Sequence, residues 1–119
     1  VRLGPGEEII ASVLKIAKDE DIRFAEISAI GAVGRAVFGL YDLEEQKYHS
    51  LTFVQPLELV SLNGNLSRKD DEPYLHLHAA FADEKGAVIS ATCEMFIKIF
   101  DIDMGRRISE QTGLNIFDI

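Results

Sequence analysis

The sequence predicts an α+β fold, a largely antiparallel β-sheet with one main N-terminal helix. Three observations predict it. A single segment near the start carries apolar residues at helical spacing. From residue 24 onward the apolar residues alternate instead, at the period of strands. The connections between those strand candidates are of hairpin length, too short for the crossover that parallel pairing needs. The chain has 119 residues, which is one domain, 1–119, with enough chain to bury a single core.

The helix is read from "GEEIIASVLKIAKDEDI". Ile9, Ile10, Val13, Leu14 and Ala17 fall on one face, with Glu8, Lys15 and Lys18 elsewhere. Pro5 and Gly6 suit its entry, and Glu7 and Glu8 sit where the helix dipole favours anions. In "FAEISAIGAVG", Phe24, Glu26, Ser28 and Ile30 take one face of a strand; Ala25, Ile27 and Ala29 take the other. "RAVFGLYD", the polar turn "DLEEQ" and "KYHSLTFV" form a hairpin, with Tyr41 and Tyr48 placed to pair across it.

Pro56 belongs at a strand edge or start. "LELVSLNGNLS" is the strand that follows, with Asn63-Gly64 read as a turn or bulge signal. "RKDDEP" reads as a charged loop, "YLHLHAAF" as a strand and "ADEKG" as a tight connection. "AVISATCEMFIKIF" alternates cleanly, placing Ile89, Ala91, Cys93, Met95, Ile97 and Ile99 on one face. The tail "MGRRISEQTGLNIFDI" is expected to hold a short helical turn and a final extended piece. About six strands and one helix result. Several strands are apolar on both faces, more surface than one helix covers, so self-association is expected.

Composition narrows the function. The formal net charge is −8, from 12 basic and 20 acidic residues. Phosphate neutralisation needs a basic face, so strong autonomous DNA binding is not expected. Arg106-Arg107 and Arg68-Lys69 are read as solvated charged spots. The single cysteine, Cys93, forms no internal disulfide and fits a reducing, cytoplasmic setting as a buried inert thiol. No apolar run is long enough to span a membrane, and the opening "VRLGPGEEII" has no secretory apolar core. "GAVGRAVFG" leads into a strand and lacks the G-x-G-x-x-G order, so no phosphate-cradling loop is expected.

The chemistry concentrates in "YLHLHAAF". Tyr74, His76, His78 and Ala80 share one face of a strand; Leu75, Leu77, Ala79 and Phe81 share the core side. Imidazoles on alternate residues can both reach one zinc ion as neutral nitrogen ligands. The alternative is a pair of satisfied histidines on an ordinary strand. A catalytic zinc needs a third protein ligand; Glu26, His49, Glu58 and Glu94 are candidates that the sequence cannot place.

The chain resembles the PPC domain, conserved in plants and prokaryotes, over almost its whole length. The resemblance rests on "GEEIIASVLKIAKDEDI", "ISAIGAVGRAVFGLYD", "LELVSLNGNLS", "PYLHLHAAFADEKG" and "TGLNIFDI" in that order. It implies a domain that assembles as a homotrimer and serves as a binding or regulatory module with protein partners. It also implies the family's predicted DNA-binding role, although the basic AT-hook core "RGRP" of the plant members is absent from this sequence. It further implies zinc at His76 and His78 with a third histidine in a "GGH" segment; here "EKG" at Glu84 to Gly86 runs directly into "AVISATCEMFI". A metal-dependent enzyme acting on a small polar metabolite is the alternative function.

Overall fold

The computed structural model describes residues 1–84 and 93–118. Strand β1 (Arg2–Leu3) precedes helix α1 (Ile9–Asp19). Then come β2 (Ala25–Val33), β3 (Ala36–Asp42), β4 (Lys47–Phe53), β5 (Leu57–Lys69), β6 (Glu72–Ala82) and β7 (Cys93–Ile99). A C-terminal hairpin follows, β8 (Arg106–Ile108) and β9 (Asn115–Phe117). The main sheet runs β1-β7-β2-β5-β6, and β3-β4 and β8-β9 form two further two-stranded sheets. Every pairing among the described residues is antiparallel. The α+β architecture is therefore the expected one.

Helix α1 starts at Glu8, whose carboxylate accepts the Ala11 N–H. That satisfies one of the backbone donors that a helix leaves open at its start. Val13 and Ala17 are buried against the sheet. The core beneath them is built from Ala25, Ile27 and Ala29 of β2, Leu59, Leu62 and Leu66 of β5, and Met95 of β7. The face assignment of β2 holds, since Glu26 and Ile30 on its other face are exposed.

Strand β5 contains the fold's main irregularity. Leu59 pairs with Phe81 and Ser61 with Ala80, so Val60 is an extra residue. The pairing with β2 shifts at the same place. The bulge reverses the facing of the strand. Leu57 and Leu59 before it, and Leu62 and Leu66 after it, thereby all face the core although their numbers differ in parity. Asn63-Gly64 is neither turn nor bulge: both residues lie inside β5, paired with His78 and Leu77. A Cβ on Gly64 would lie 2.0 Å from the His76 carbonyl oxygen, so glycine is there for a close strand approach.

The "RKDDEP" segment is also more ordered than a loop. Arg68 and Lys69 belong to β5, and Glu72 and Pro73 to β6. Only Asp70 and Asp71 turn the chain, both at positive φ (52° and 62°), as a two-residue hairpin turn demands. The tail holds the expected short helical turn, closed by Gly113 at φ 70°, whose N–H donates to the Ser109 carbonyl, and the expected extended piece, β9; the strand β8 before the turn, with which β9 pairs, was not expected. The β3-β4 hairpin is as expected, with the Tyr41 and Tyr48 rings 5.0 Å apart, edge to face.

Ile89 and Ala91, expected on one strand face with Cys93 and Met95, lie outside the described residues. Within β7 the alternation holds at Met95 and Ile97, but Ile99 is exposed, as is Ala79 of β6. An eleven-residue helix is about 16 Å long and does not cover the whole of one sheet face. The molecule is a slab, 41 × 37 × 18 Å, with a radius of gyration of 15.3 Å. A compact chain of this length is expected near 13.5 Å, an order-of-magnitude scaling. No helix among the described residues is long and apolar enough to cross a membrane.

Candidate functional site

Antiparallel register places directly opposed residues on the same face. On the face away from α1 this produces two cross-strand rows. One runs Phe96, Ser28, Asn63, His78 across β7, β2, β5 and β6; the next runs Lys98, Glu26, Asn65, His76. Tyr74 stands opposite Ser67 one row further on. The histidines thus stand on the polar face at the β6 edge, as the alternation of "YLHLHAAF" predicts.

His76 is half-buried and His78 exposed. Their Nε2 atoms lie 3.2 Å apart, with the rings edge to face at 5.0 Å. Two tetrahedral ligands at zinc–nitrogen distances of about 2.0–2.1 Å have their nitrogens separated by roughly 3.3 Å. The donor pair therefore fits two positions of one zinc ion. Burial lowers the His76 pKa below the ordinary value, and the charges of Arg106 and His78 lower it further. A neutral imidazole is the form that ligates metal, so binding there displaces no proton from His76 near neutral pH.

Arg106 is the residue that sequence reasoning missed. It is no solvated charge. From β8 its Nε donates to Ser67 Oγ at 2.7 Å, its Nη2 to Asn65 Oδ1 at 2.6 Å and its Nη1 to the Asn115 carbonyl at 2.8 Å. Its guanidinium lies 5.0 Å from the Tyr74 ring centroid and 4.4 Å from that of Phe117. Asn115 Nδ2 donates to the Tyr74 hydroxyl at 2.9 Å. Burial lowers the Arg106 pKa, and Tyr74 opposes that shift. No carboxylate pairs with it among the described residues. Arg106 thus fastens the C-terminal hairpin over one end of the polar face, beside His76. Its side-chain partners Ser67 and Asn65 lie about forty residues away, a separation that leaves no spacing signal in the sequence. Arg107 is exposed and pairs with Asp118 at 3.5 Å, as a solvated charge does.

The third-ligand candidates go elsewhere. Glu26 shares the row of His76 but stands two strands away, about 10 Å in backbone spacing. Glu58 pairs with Ala82, beyond the bulge. Glu94 lies opposite Ile30 on β7. His49 is on β4, where its Nε2 lies 3.2 Å from Glu45 and 3.9 Å from Asp42.

Asp42, Glu45 and His49 bring three donor atoms within 4.8 Å of one another, the one such group among the described residues. Two of its oxygens are already engaged. Asp42 Oδ1 accepts the Glu44 and Glu45 N–H groups at 2.8 and 2.9 Å, and Glu45 Oε2 pairs with Lys47. All three cap an exposed hairpin turn.

Known proteins share this fold. A structure from Pyrococcus horikoshii, a plant- and prokaryote-conserved (PPC) protein, is 27% identical with a TM-score of 0.89 and covers 100% of this chain and 89% of its own. A metal-containing protein from Archaeoglobus fulgidus is 34% identical with a TM-score of 0.89, covering 98% and 89%. A protein from Ralstonia eutropha JMP134 with a proposed DNA-binding role is 21% identical with a TM-score of 0.91, covering 100% and 89%, a likeness of fold. No curated protein matches the sequence. The family model of the Plants and Prokaryotes Conserved (PCC) domain matches residues 1–99, and the chain belongs to that family.

Proposed function

We propose that this protein is a cytoplasmic, homotrimeric PPC-domain binding module that holds a zinc ion through His76 and His78. The 3.2 Å separation of the two Nε2 atoms on an accessible polar face carries the metal reading. Two nitrogen donors favour zinc over hard, oxygen-seeking cations. The metal-containing relative from Archaeoglobus fulgidus supports it. The Asp42–Glu45–His49 group is the weaker site, because Asp42 Oδ1 already serves the turn and Glu45 Oε2 already pairs with Lys47. Elemental analysis of the purified protein beside His76→Ala/His78→Ala and His49→Ala tests the assignment: zinc is lost only with the first variant.

Assembly is supported by the slab shape and by what the polar face leaves bare. Phe96 is 78% exposed, and Ile30 and Val60 are exposed near it. Apolar surface of this kind on a thin sheet is covered economically by another copy. A trimer would also bring a further ligand to a two-histidine site at a sheet edge. Light scattering at micromolar concentration tests it; a monomeric mass contradicts it.

A second reading, a metal-dependent enzyme on a small polar metabolite, is favoured by one observation: the Arg106 guanidinium beside His76 has no carboxylate partner among the described residues. A zinc ion there would act as Lewis acid or activate water. Direct DNA binding is opposed by the charge of −8; an affinity for duplex DNA that falls steeply with salt would support it, and no binding at low salt would remove it.

A further inference from the structure

The polar face carries a half-buried cation, Arg106, that no described carboxylate neutralises. Burial and Tyr74 are the influences on its charge. The acid in the neighbouring rows, Glu26, stands between Asn65 on one side and Lys98 on the other. A charge partly withdrawn from water is costly when unpaired, and an anion that reaches it recovers that cost.

The donors of Arg106 are fixed in number and direction. A guanidinium has five N–H groups. Three of them serve Ser67 Oγ, Asn65 Oδ1 and the Asn115 carbonyl, from Nε, Nη2 and Nη1 respectively. One N–H therefore remains on each terminal nitrogen. The two contacts with β5 set the direction. Nε sits at Ser67, opposite Tyr74, and Nη2 sits one row on at Asn65, opposite His76. The terminal end of the guanidinium thus points along the face toward the rows of His76 and His78. That ground is open, since Asn63 and His78 are both exposed. The Tyr74 and Phe117 rings, 5.0 and 4.4 Å away, hold the guanidinium in place. Paired terminal N–H groups in one plane form the fork that takes two oxygens of a carboxylate or phosphate.

We propose that Arg106 and the histidine pair form one anion site, which takes the carboxylate or phosphate head of a small molecule with its oxygens on the Arg106 terminal nitrogens. The share of the metal rests on the zinc reading above: zinc on His76 and His78 would add a second positive centre with open positions for oxygen. The share of Arg106 stands without it, because its free donors belong to the metal-free chain. The ligand of the second reading is then an anionic metabolite.

The test is titration of the full-length, ¹⁵N-labelled protein with acetate, methylphosphonate and neutral acetamide, zinc-free and zinc-loaded, at constant ionic strength set with chloride. Saturable shifts of the Arg106 Nε–H and the Asn65 side-chain amide are expected with the anions. Acetamide is expected to bind roughly tenfold more weakly, the difference between charged and neutral hydrogen bonds. The tighter of the two anions identifies the head group. Arg106→Gln, with folding checked by circular dichroism, is expected to lose the preference for anion over acetamide, and Arg107→Gln to keep it. Zinc is expected to tighten anion binding in the wild type and not in His76→Ala/His78→Ala. The proposal is overturned by the absence of saturable shifts at Arg106, by equal binding of acetamide, by an unchanged preference in Arg106→Gln, or by zinc that binds without tightening the anion. The wild-type series decides the matter even if Arg106→Gln folds poorly. A wild type that takes up no zinc sinks the metal reading, and the zinc-free titration then decides the anion site by itself, so the two failures are distinct.

Discussion

Arg106 and Ser67, 39 residues apart, meet in a 2.7 Å hydrogen bond from the guanidinium Nε to the hydroxyl oxygen. Ser67 is fully buried, and it is the one buried polar residue of the described core. The bond joins the C-terminal hairpin to the central sheet and gives the serine oxygen a charged donor. Removing Arg106 leaves Ser67, Asn65 and the Asn115 carbonyl without that donor and takes the cation from between two rings. Charged hydrogen bonds contribute about 1.5–3 kcal/mol each, though they do not add simply. Arg106→Ala is expected to lower stability by roughly 3 kcal/mol in urea unfolding. Arg106→Lys recovers only part of this, because an ammonium cannot serve three divergent acceptors in one plane.

The lowered pKa of His76 has a defined pH consequence in the metal-free protein. Its folded-state pKa lies below its unfolded value, so the unfolded chain binds the proton more readily between the two. The contribution to stability is complete above the unfolded pKa, near 6.5. It declines as pH falls below that value and is gone once pH passes the folded pKa. Histidine NMR titration is expected to show His76 titrating below the ordinary range. In Arg106→Gln its pKa rises without becoming ordinary, since burial is the larger cause and Arg106 the second. A His76 pKa unchanged by that substitution would remove Arg106 from the site's electrostatics.

The β5-β6 turn stores a small, repairable cost. Asp70 and Asp71 both hold positive φ, where Asn-Gly is the preferred pair. Asp70→Asn/Asp71→Gly is expected to raise stability by about 1 kcal/mol, read as a higher urea midpoint with an unchanged slope. Unchanged stability would mean that the contact between Arg68 and the Asp71 carbonyl already compensates for the strain.

Phe96 offers the most direct probe of assembly. It is 78% exposed in the single chain, in the same row as His78. Phe96→Asp places a charge in any interface built on this face and is expected to reduce the proposed trimer to smaller species at micromolar concentration without lowering the helix and strand content seen by circular dichroism. A trimer that survives the substitution places the interface elsewhere.

What the sequence made legible followed from periodicity. Ala25, Ile27 and Ala29 separate from Glu26 and Ile30 because a strand alternates, and His76 and His78 share a face for the same reason. The β3-β4 hairpin was readable from a polar turn between two apolar runs. Two short strands were not: Arg2–Leu3 is too brief to show a period, and β8 has only three residues. Asn63-Gly64 carried a strong local turn signal, which the pairing of β5 with strands on both sides overrode. The bulge that does exist sits at Val60, a residue with no breaker character. Arg106 was invisible as a structural group because its meaning lies in contacts across the fold.

The zinc proposed for "HLH" needs both imidazoles as ligands. Its most direct test is elemental analysis of tag-free, full-length protein, wild type beside His76→Ala/His78→Ala, with folding of the variant checked by circular dichroism. Near-stoichiometric zinc is expected in the wild type and none in the folded double variant. Absence of metal from the wild type, or equal zinc in both proteins, would contradict it and return the two imidazoles to an ordinary strand face.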